Sequence, residues 1–196
     1  MGFIDRPVVG GVFMRMLYEK PVWQKYAQRD KPKASGWAPM PKLPGFEVVV
    51  PTADKEPALW RYTTSRTTAN WFAKNFDGSS WSEGKGGFGK TQNASAVVNT
   101  PWTTDDIWLR REVELHVKTP ADLLGWLHHD DDAEVYINGI LVIHADGATP
   151  TYEDFQLKRR AVAAIRPGKN VIVIHCKNTG GEQYIDFGFV RAKVSQ

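Results

Sequence analysis

Between residues 46 and 190 one pattern recurs: a short run of alternating apolar and polar residues, then a turn signal. The runs are FEVVV (46–50), LWRYTT (59–64), DIWLRREVELHV (106–117), LLGWLHH (123–129), AEVYING (133–139), ILVIH (140–144), NVIVIHC (170–176) and YIDFGFV (184–190). A period of two sends successive side chains to opposite faces of an extended strand. Asn138-Gly139 sits between two such runs, and both positions of a two-residue hairpin turn favour positive φ. Pro167-Gly168, followed by Lys169-Asn170, makes a second turn. Helical signals are sparse: FDGSSW (76–81) and LKRRAVAAI (157–165). Many short strands, regular turns and one-sided alternation predict an all-β fold, an antiparallel β-sandwich over residues 46–196.

The first 45 residues follow a different rule. Val8, Val12 and Met16 recur near helical spacing, with Phe13 and Leu17 beside them. Asp5 can cap this helix, and Pro7 suits its first turn. Pro21 should divide it, leaving Val22, Trp23 and Tyr26 on a second piece. Residues 1–29 are therefore expected to be helical, with an apolar surface that needs a partner. Residues 30–45, DKPKASGWAPMPKLPG, hold four prolines and no apolar period, and read as an extended linker. The start of the chain reads as a cut into a longer protein. It has neither the long apolar core nor the cleavage site of a signal peptide.

Charge separates the same two parts. Residues 1–45 carry eight Lys or Arg against three acids, while the remainder carries 17 against 19. The basic character is confined to the tail, and the body lacks the basic stripe that nucleic-acid binding needs. No apolar stretch approaches the length of a membrane span. Cys176 is the single cysteine, so no intrachain disulfide can form, and its apolar run VIVIHC predicts a buried, inert thiol.

Three stretches carry possible chemistry. LHHDDDAEVYING (127–139) sets two histidines and three aspartates before a strand. His128 and His129 are neighbours on a strand and face opposite ways, so one zinc ion cannot easily take both. Asp130, Asp131 and Asp132 could give two or three oxygens to calcium, or form a solvated acidic connection between strands. Asp77 with Asp131 or Asp132 could form the carboxylate pair of a glycosidase, but nothing in the sequence brings them together. EGKGGFGK (83–90) matches neither a phosphate loop nor a dinucleotide fingerprint, and reads as a mobile loop. There is no G-x-S-x-G nucleophile motif. Asn93-Ala94-Ser95 fits the glycosylation triplet.

The ordered series W-x-Y (60–62), NFDGSSW (75–81), GFG (87–89), TTDDIWLRR (103–111), HHDDDAEVYING (128–139), GKNVIV (168–173) and HCKN (175–178) resembles the galactose-binding-like jelly roll. It is the version found as the sugar-binding domain of glycoside hydrolase family 2, and the likeness spans about residues 58–190. DRPVVGGVFMRMLYEKPVWQKYA (5–27) resembles, over a shorter span, the last helices of the toroid domain of bacterial glutaminase A-like hydrolases. These resemblances imply a jelly-roll topology and a non-catalytic accessory domain of a multidomain hydrolase. Such a domain binds carbohydrate, or packs against an upstream catalytic domain of the same polypeptide. They also imply an extracellular or periplasmic location.

Jelly rolls of this kind often hold a structural calcium, usually in a loop other than the one at Asp130–Asp132. Sugar-binding modules stack pyranose rings on exposed aromatic faces, while polar groups meet the hydroxyls. Trp60, Trp81, Trp108 and Trp126 fall in or beside strands and are expected to be structural. Trp71, Phe88 and Trp102 fall in or near expected loops and are the carbohydrate-stacking candidates. Asn178 joins them, because the loop before the last strand often carries binding residues in domains of this resemblance.

Overall fold

The computed structural model describes residues 45–117 and 119–193. The expected helical tail at 1–29 and all but the last residue of the expected linker at 30–45 lie outside the described residues.

The described chain forms β1 (Phe46–Val50), β2 (Leu59–Thr63), β3 (Ser82–Lys85), β4 (Phe88–Lys90), β5 (Thr100–Pro101), β6 (Asp106–Leu115) and β7 (Leu123–Asp130). It continues with β8 (Asp132–Ile137), β9 (Ile140–Ala145), β10 (Glu153–Gln156), the short helix α1 (Arg159–Ala164), β11 (Gly168–Lys177) and β12 (Gln183–Ala192). One sheet has the order β10-β7-β12-β4-β5, with β1 also paired to β12. The other has the order β3-β2-β6-β11-β8-β9. Every pairing is antiparallel except β4 with β5. The described residues form an all-β sandwich, as the alternation predicts.

The core follows from that alternation. Ala133, Val135 and Ile137 on β8 are buried, and Glu134 and Tyr136 between them are not. Ile172, Ile174 and Cys176 on β11 face Ile185, Phe187 and Phe189 of β12 within the same core. At the β8–β9 hairpin, Asn138 has φ 50° and Gly139 φ 85°, the positive pair that the turn demands. Asn138 also ties the turn down. Its Oδ1 accepts from Val171 N at 3.0 Å, and its Nδ2 donates to Ala164 O at 2.8 Å.

Three local expectations are corrected. EGKGGFGK is no mobile loop: it builds β3, β4 and the corner between them, with Gly84, Gly86, Gly87 and Gly89 all buried. FDGSSW forms turns rather than a helix, because Asp77 Oδ1 accepts from Ser79 N at 2.9 Å and competes with helical bonding. The aspartate triplet is barely a loop at all. β7 runs through Asp130 and β8 begins at Asp132, so Asp131 alone carries the chain from one sheet to the other. The helical signal near 157–165, by contrast, does become α1.

Candidate functional site

β6 holds the key irregularity. Its core-facing stripe is Ile107, Leu109, Val113 and Leu115, and Arg111 takes the middle place in that stripe. β2 pairs with β6 only from Thr63–Trp108 to Arg61–Arg110. Beyond Arg61, β2 stays with β3 while β6 stays with β11, so the two strands part. The parting leaves an open cleft of about 630 Å³, lined among others by Arg61, Lys74, Phe76, Glu83, Arg110, Arg111 and Glu112.

The segment between β2 and β3 forms one wall, and Arg110 grips it. Arg110 Nη1 donates to Ala73 O at 3.0 Å and Nη2 to Lys74 O at 2.6 Å. The Phe76 ring lies 5.9 Å from the guanidinium. Arg61 reaches the same segment, donating to Ser79 O at 3.0 Å and pairing with Glu83 at 3.0 Å. Arg111 lies 5.8 Å from the Trp60 ring, and its Nη1 has no hydrogen-bond partner among the described residues. Burial lowers the pKa of both Arg110 and Arg111, though an arginine remains charged at any ordinary pH.

Beside the cleft lies an aromatic layer on the same sheet. Phe72 stacks on Tyr136 at 4.9 Å and 17°, and Trp71 meets Tyr136 edge-on at 5.1 Å. Trp108 stacks on His175 at 4.8 Å and 10°, and His175 Nε2 sits 2.7 Å from Asp106 Oδ1. Burial and the hydrogen bond to Glu134 raise the Tyr136 phenol to about 12.

The four expected carbohydrate contacts do not converge. Trp71 is half-buried in this aromatic layer, its ring turned edge-on to its neighbours. Phe88 is 0% and Trp102 1% exposed, so neither offers a ring face to a sugar. Phe88 packs against Tyr62 at 5.2 Å, and Trp102 Nε1 donates to Thr104 Oγ1 at 3.0 Å. Both belong to the core, because the strands beside them carry too little side chain to fill it. Asn178 is spent on its own loop. Its Nδ2 donates to Gln183 Oε1 at 3.1 Å, and its Oδ1 accepts from Gly180 N at 3.0 Å.

Asp130, Asp131 and Asp132, the expected calcium ligands, do not gather around one point. Among the described residues no group of three or more His, Cys, Asp or Glu could hold a metal ion. Asp131 Oδ2 accepts from Thr179 N at 2.7 Å and Thr179 Oγ1 at 2.5 Å, and Asp132 Oδ1 accepts from Gly147 N at 2.7 Å. These carboxylates hold loops. The Thr179 hydroxyl bond lowers the Asp131 pKa, while burial and then the charge of Asp131 raise Asp130 to about 6.

A second polar group is buried on β7 and β12. β1 and β4 share one edge of β12 but leave Asp186 between them. Asp186 fills the gap by accepting from Ala53 N and Tyr152 Oη, each at 2.7 Å. His128 packs against the rings of Tyr184 at 4.5 Å and Tyr152 at 5.3 Å. The fold buries both His128 and His129, although neighbours on a strand face opposite ways. Burial also pushes the Cys176 thiol up, so it is no nucleophile at neutral pH.

Of the cleft residues the sequence singles out Asp77, as a possible catalytic acid, and Trp60, as a structural ring, but none of the arginines. One signal was available: an arginine at the centre of an apolar stripe marks a place where the sheet must open.

No family model matches the chain, and no curated protein matches it. Solved structures of similar shape exist. A β-glucuronidase of Bacteroides uniformis is 14% identical at a TM-score of 0.46, over 73% of this chain and 18% of that one. A β-glucuronidase of Bifidobacterium dentium, complexed with coumarin-3-O-glucuronide, is 11% identical at 0.48, over 75% and 30%. A glycosyl hydrolase family 2 member of Bacteroides cellulosilyticus is 13% identical at 0.45, over 68% and 20%. The chain thus matches less than a third of each of these proteins' length.

Proposed function

We propose that residues 46–196 are a non-catalytic accessory domain, a jelly roll in topology, within a larger carbohydrate-active hydrolase. Its ligand is carbohydrate, and it binds in the cleft where β2 and β6 part. The cleft carries this reading. It has the volume of a small-ligand site and combines an aromatic ring with guanidinium forks and carboxylates, the groups that meet sugar hydroxyls. Asp77 accepts from a backbone amide, Glu83 pairs with Arg61 and Glu112 with Lys169, which favours binding over acid–base catalysis. Residues 1–29 are the end of an upstream domain and 30–45 the linker from it, in an extracellular or periplasmic protein. No described helix is long and apolar enough to cross a membrane.

A second reading, packing against the upstream catalytic domain, is favoured by Leu59. This apolar side chain is 56% exposed at the rim of the same cleft. A glycan array probed with the full chain and with Arg61→Ala separates the two. Retention of particular glycans by the parent and their loss in the variant supports carbohydrate binding. Silence from the parent on every glycan overturns it in favour of packing.

A further inference from the structure

A second depression lies on the sheet that carries β1, β7, β10 and β12. It is an open groove of about 380 Å³, lined among others by Asp122, Leu124, Gln156, Leu157 and Ala192. Val48, Val190, Leu124 and Gln156 are paired in one row across β1, β12, β7 and β10, so their side chains share a face of the sheet. Ala192, two residues on from Val190, shares it as well. The core residues Leu123 and Phe189 alternate with this row and face the opposite way. The groove therefore opens toward the outer face, away from the core.

The chain enters the sandwich at the rim of this groove. Gly45 O accepts from Lys193 N at 2.8 Å, and Phe46 pairs with Ala192. The Phe46 ring already lies across the outer face, 5.0 Å from Trp126 on β7. The sequence just before it carries a matching pattern. Trp37, Met40 and Leu43 recur at every third position among Pro39, Pro41 and Pro44. Prolines lack the N–H that a strand ladder needs but favour the polyproline II helix, whose three residues per turn put such a series on one face. At about 3.1 Å per residue that face is about 19 Å long, against about 14 Å for the strand spacings from β1 to β10. The linker is also basic, with Lys31, Lys33 and Lys42 against Asp30, and Asp122 places a carboxylate in the groove.

We propose that this groove seats the chain's own linker, with Trp37, Met40 and Leu43 laid along the outer face of the sheet as an apolar strap. The upstream segment is then held against the sandwich in one pose, where a bare tether would let it swing. The strap rests on the linker reading and not on the carbohydrate reading, so neither falls with the other.

The test reads how readily a thiol in the groove is reached in the full chain. Cys176 is buried and does not compete. Ala192→Cys and Gln156→Cys each replace an exposed groove residue, and Lys85→Cys, on the other sheet, is the reference. A maleimide should label both groove thiols about tenfold more slowly than the reference, as a strap undocked about a tenth of the time dictates. Trp37→Ser, Met40→Ser and Leu43→Ser introduced together should restore the fast rate. Fast labelling with the linker unaltered, or protection that survives the three serines, would overturn the strap. Protection that fades on dilution would overturn it too, because a second copy rather than the linker would then cover the groove.

Discussion

Asp186 and His128 stand directly opposite each other on β12 and β7, and Tyr152 touches both. Burial acts on them in opposite directions. It pushes the Asp186 carboxyl up from 3.8 to about 6, and the His128 imidazole down from 6.5 to about 4. Each shift favours the neutral form. Two neutral groups therefore share the site over the range in which an unfolded chain would charge both.

Their effects on stability run with opposite slopes. Asp186 holds its proton more tightly when folded, so its contribution is full below about pH 4 and lost as pH rises through about 6. Asp130, also raised to about 6, adds to that slope. His128 holds its proton less tightly when folded, so its contribution is present above about 6.5 and lost as pH falls through about 4. His129, lowered first by burial, adds to this second slope. The parent should be nearly flat between about pH 4 and 6. His128→Phe should lose stability as pH rises across that window, and Asp186→Asn should gain it. Urea midpoints measured from pH 4 to 7 decide the matter, and parallel profiles for all three proteins would contradict the assignment.

Arg110 is the clamp on the wall of the cleft. Arg110→Ala leaves the carbonyls of Ala73 and Lys74 without their donor, at a cost of about 1–3 kcal/mol. The loss should be local as well as global. Amide hydrogen exchange should quicken across residues 70–81 and stay slow in β11. Arg110→Lys should recover little, because an ammonium cannot reach two carbonyls as a planar fork does.

Asp131 is expected to behave as a cap rather than a ligand. Asp131→Ala frees Thr179 N and Oγ1 and should cost about 1 kcal/mol. A chelator should leave the melting temperature of parent and variant unchanged. A drop in the parent's melting temperature on chelation, restored by added calcium, would return the acidic stretch to the metal-site reading.

The strands that were legible are those built from β-branched and aromatic residues in alternation, such as β8 with Ala133, Val135 and Ile137 inward. β3, β4, β5 and β10 read SEGK, FGK, TP and EDFQ and carry no such alternation. They are strands because a neighbour pairs with them, which no local pattern records. The aromatic candidates failed for a related reason. Phe88 and Trp102 lie next to glycine, threonine and proline, so they looked like loop residues. In the fold, those same small neighbours leave space that large rings must fill. The cleft was hidden because it depends on where β2 stops pairing with β6, a tertiary event. Arg111 alone, a charge within an apolar stripe, hinted at it.

The glycine-rich stretch gives the sharpest contrast between the two readings, because a mobile loop tolerates alanine and a packed strand does not. A Cβ on Gly89 would stand 2.2 Å from Gln183 O and 3.0 Å from Tyr184 Cα, both main-chain atoms of the paired strand β12. Backbone cannot step aside as a flexible side chain can, so β4 would have to leave β12. Gly139 is the control. Its φ of 85° makes alanine strained there, but the nearest atom to a new Cβ is 3.6 Å away, an ordinary contact. Gly139→Ala should therefore cost only the left-handed penalty of about 1–2 kcal/mol. Gly89→Ala should cost more than about 3 kcal/mol, the range reached by overpacking against atoms that cannot relax. Urea unfolding of the two variants ranks them directly. A Gly89→Ala protein as stable as the parent would mean that β4 does not pack against β12 and that the stretch is the mobile loop its composition suggests.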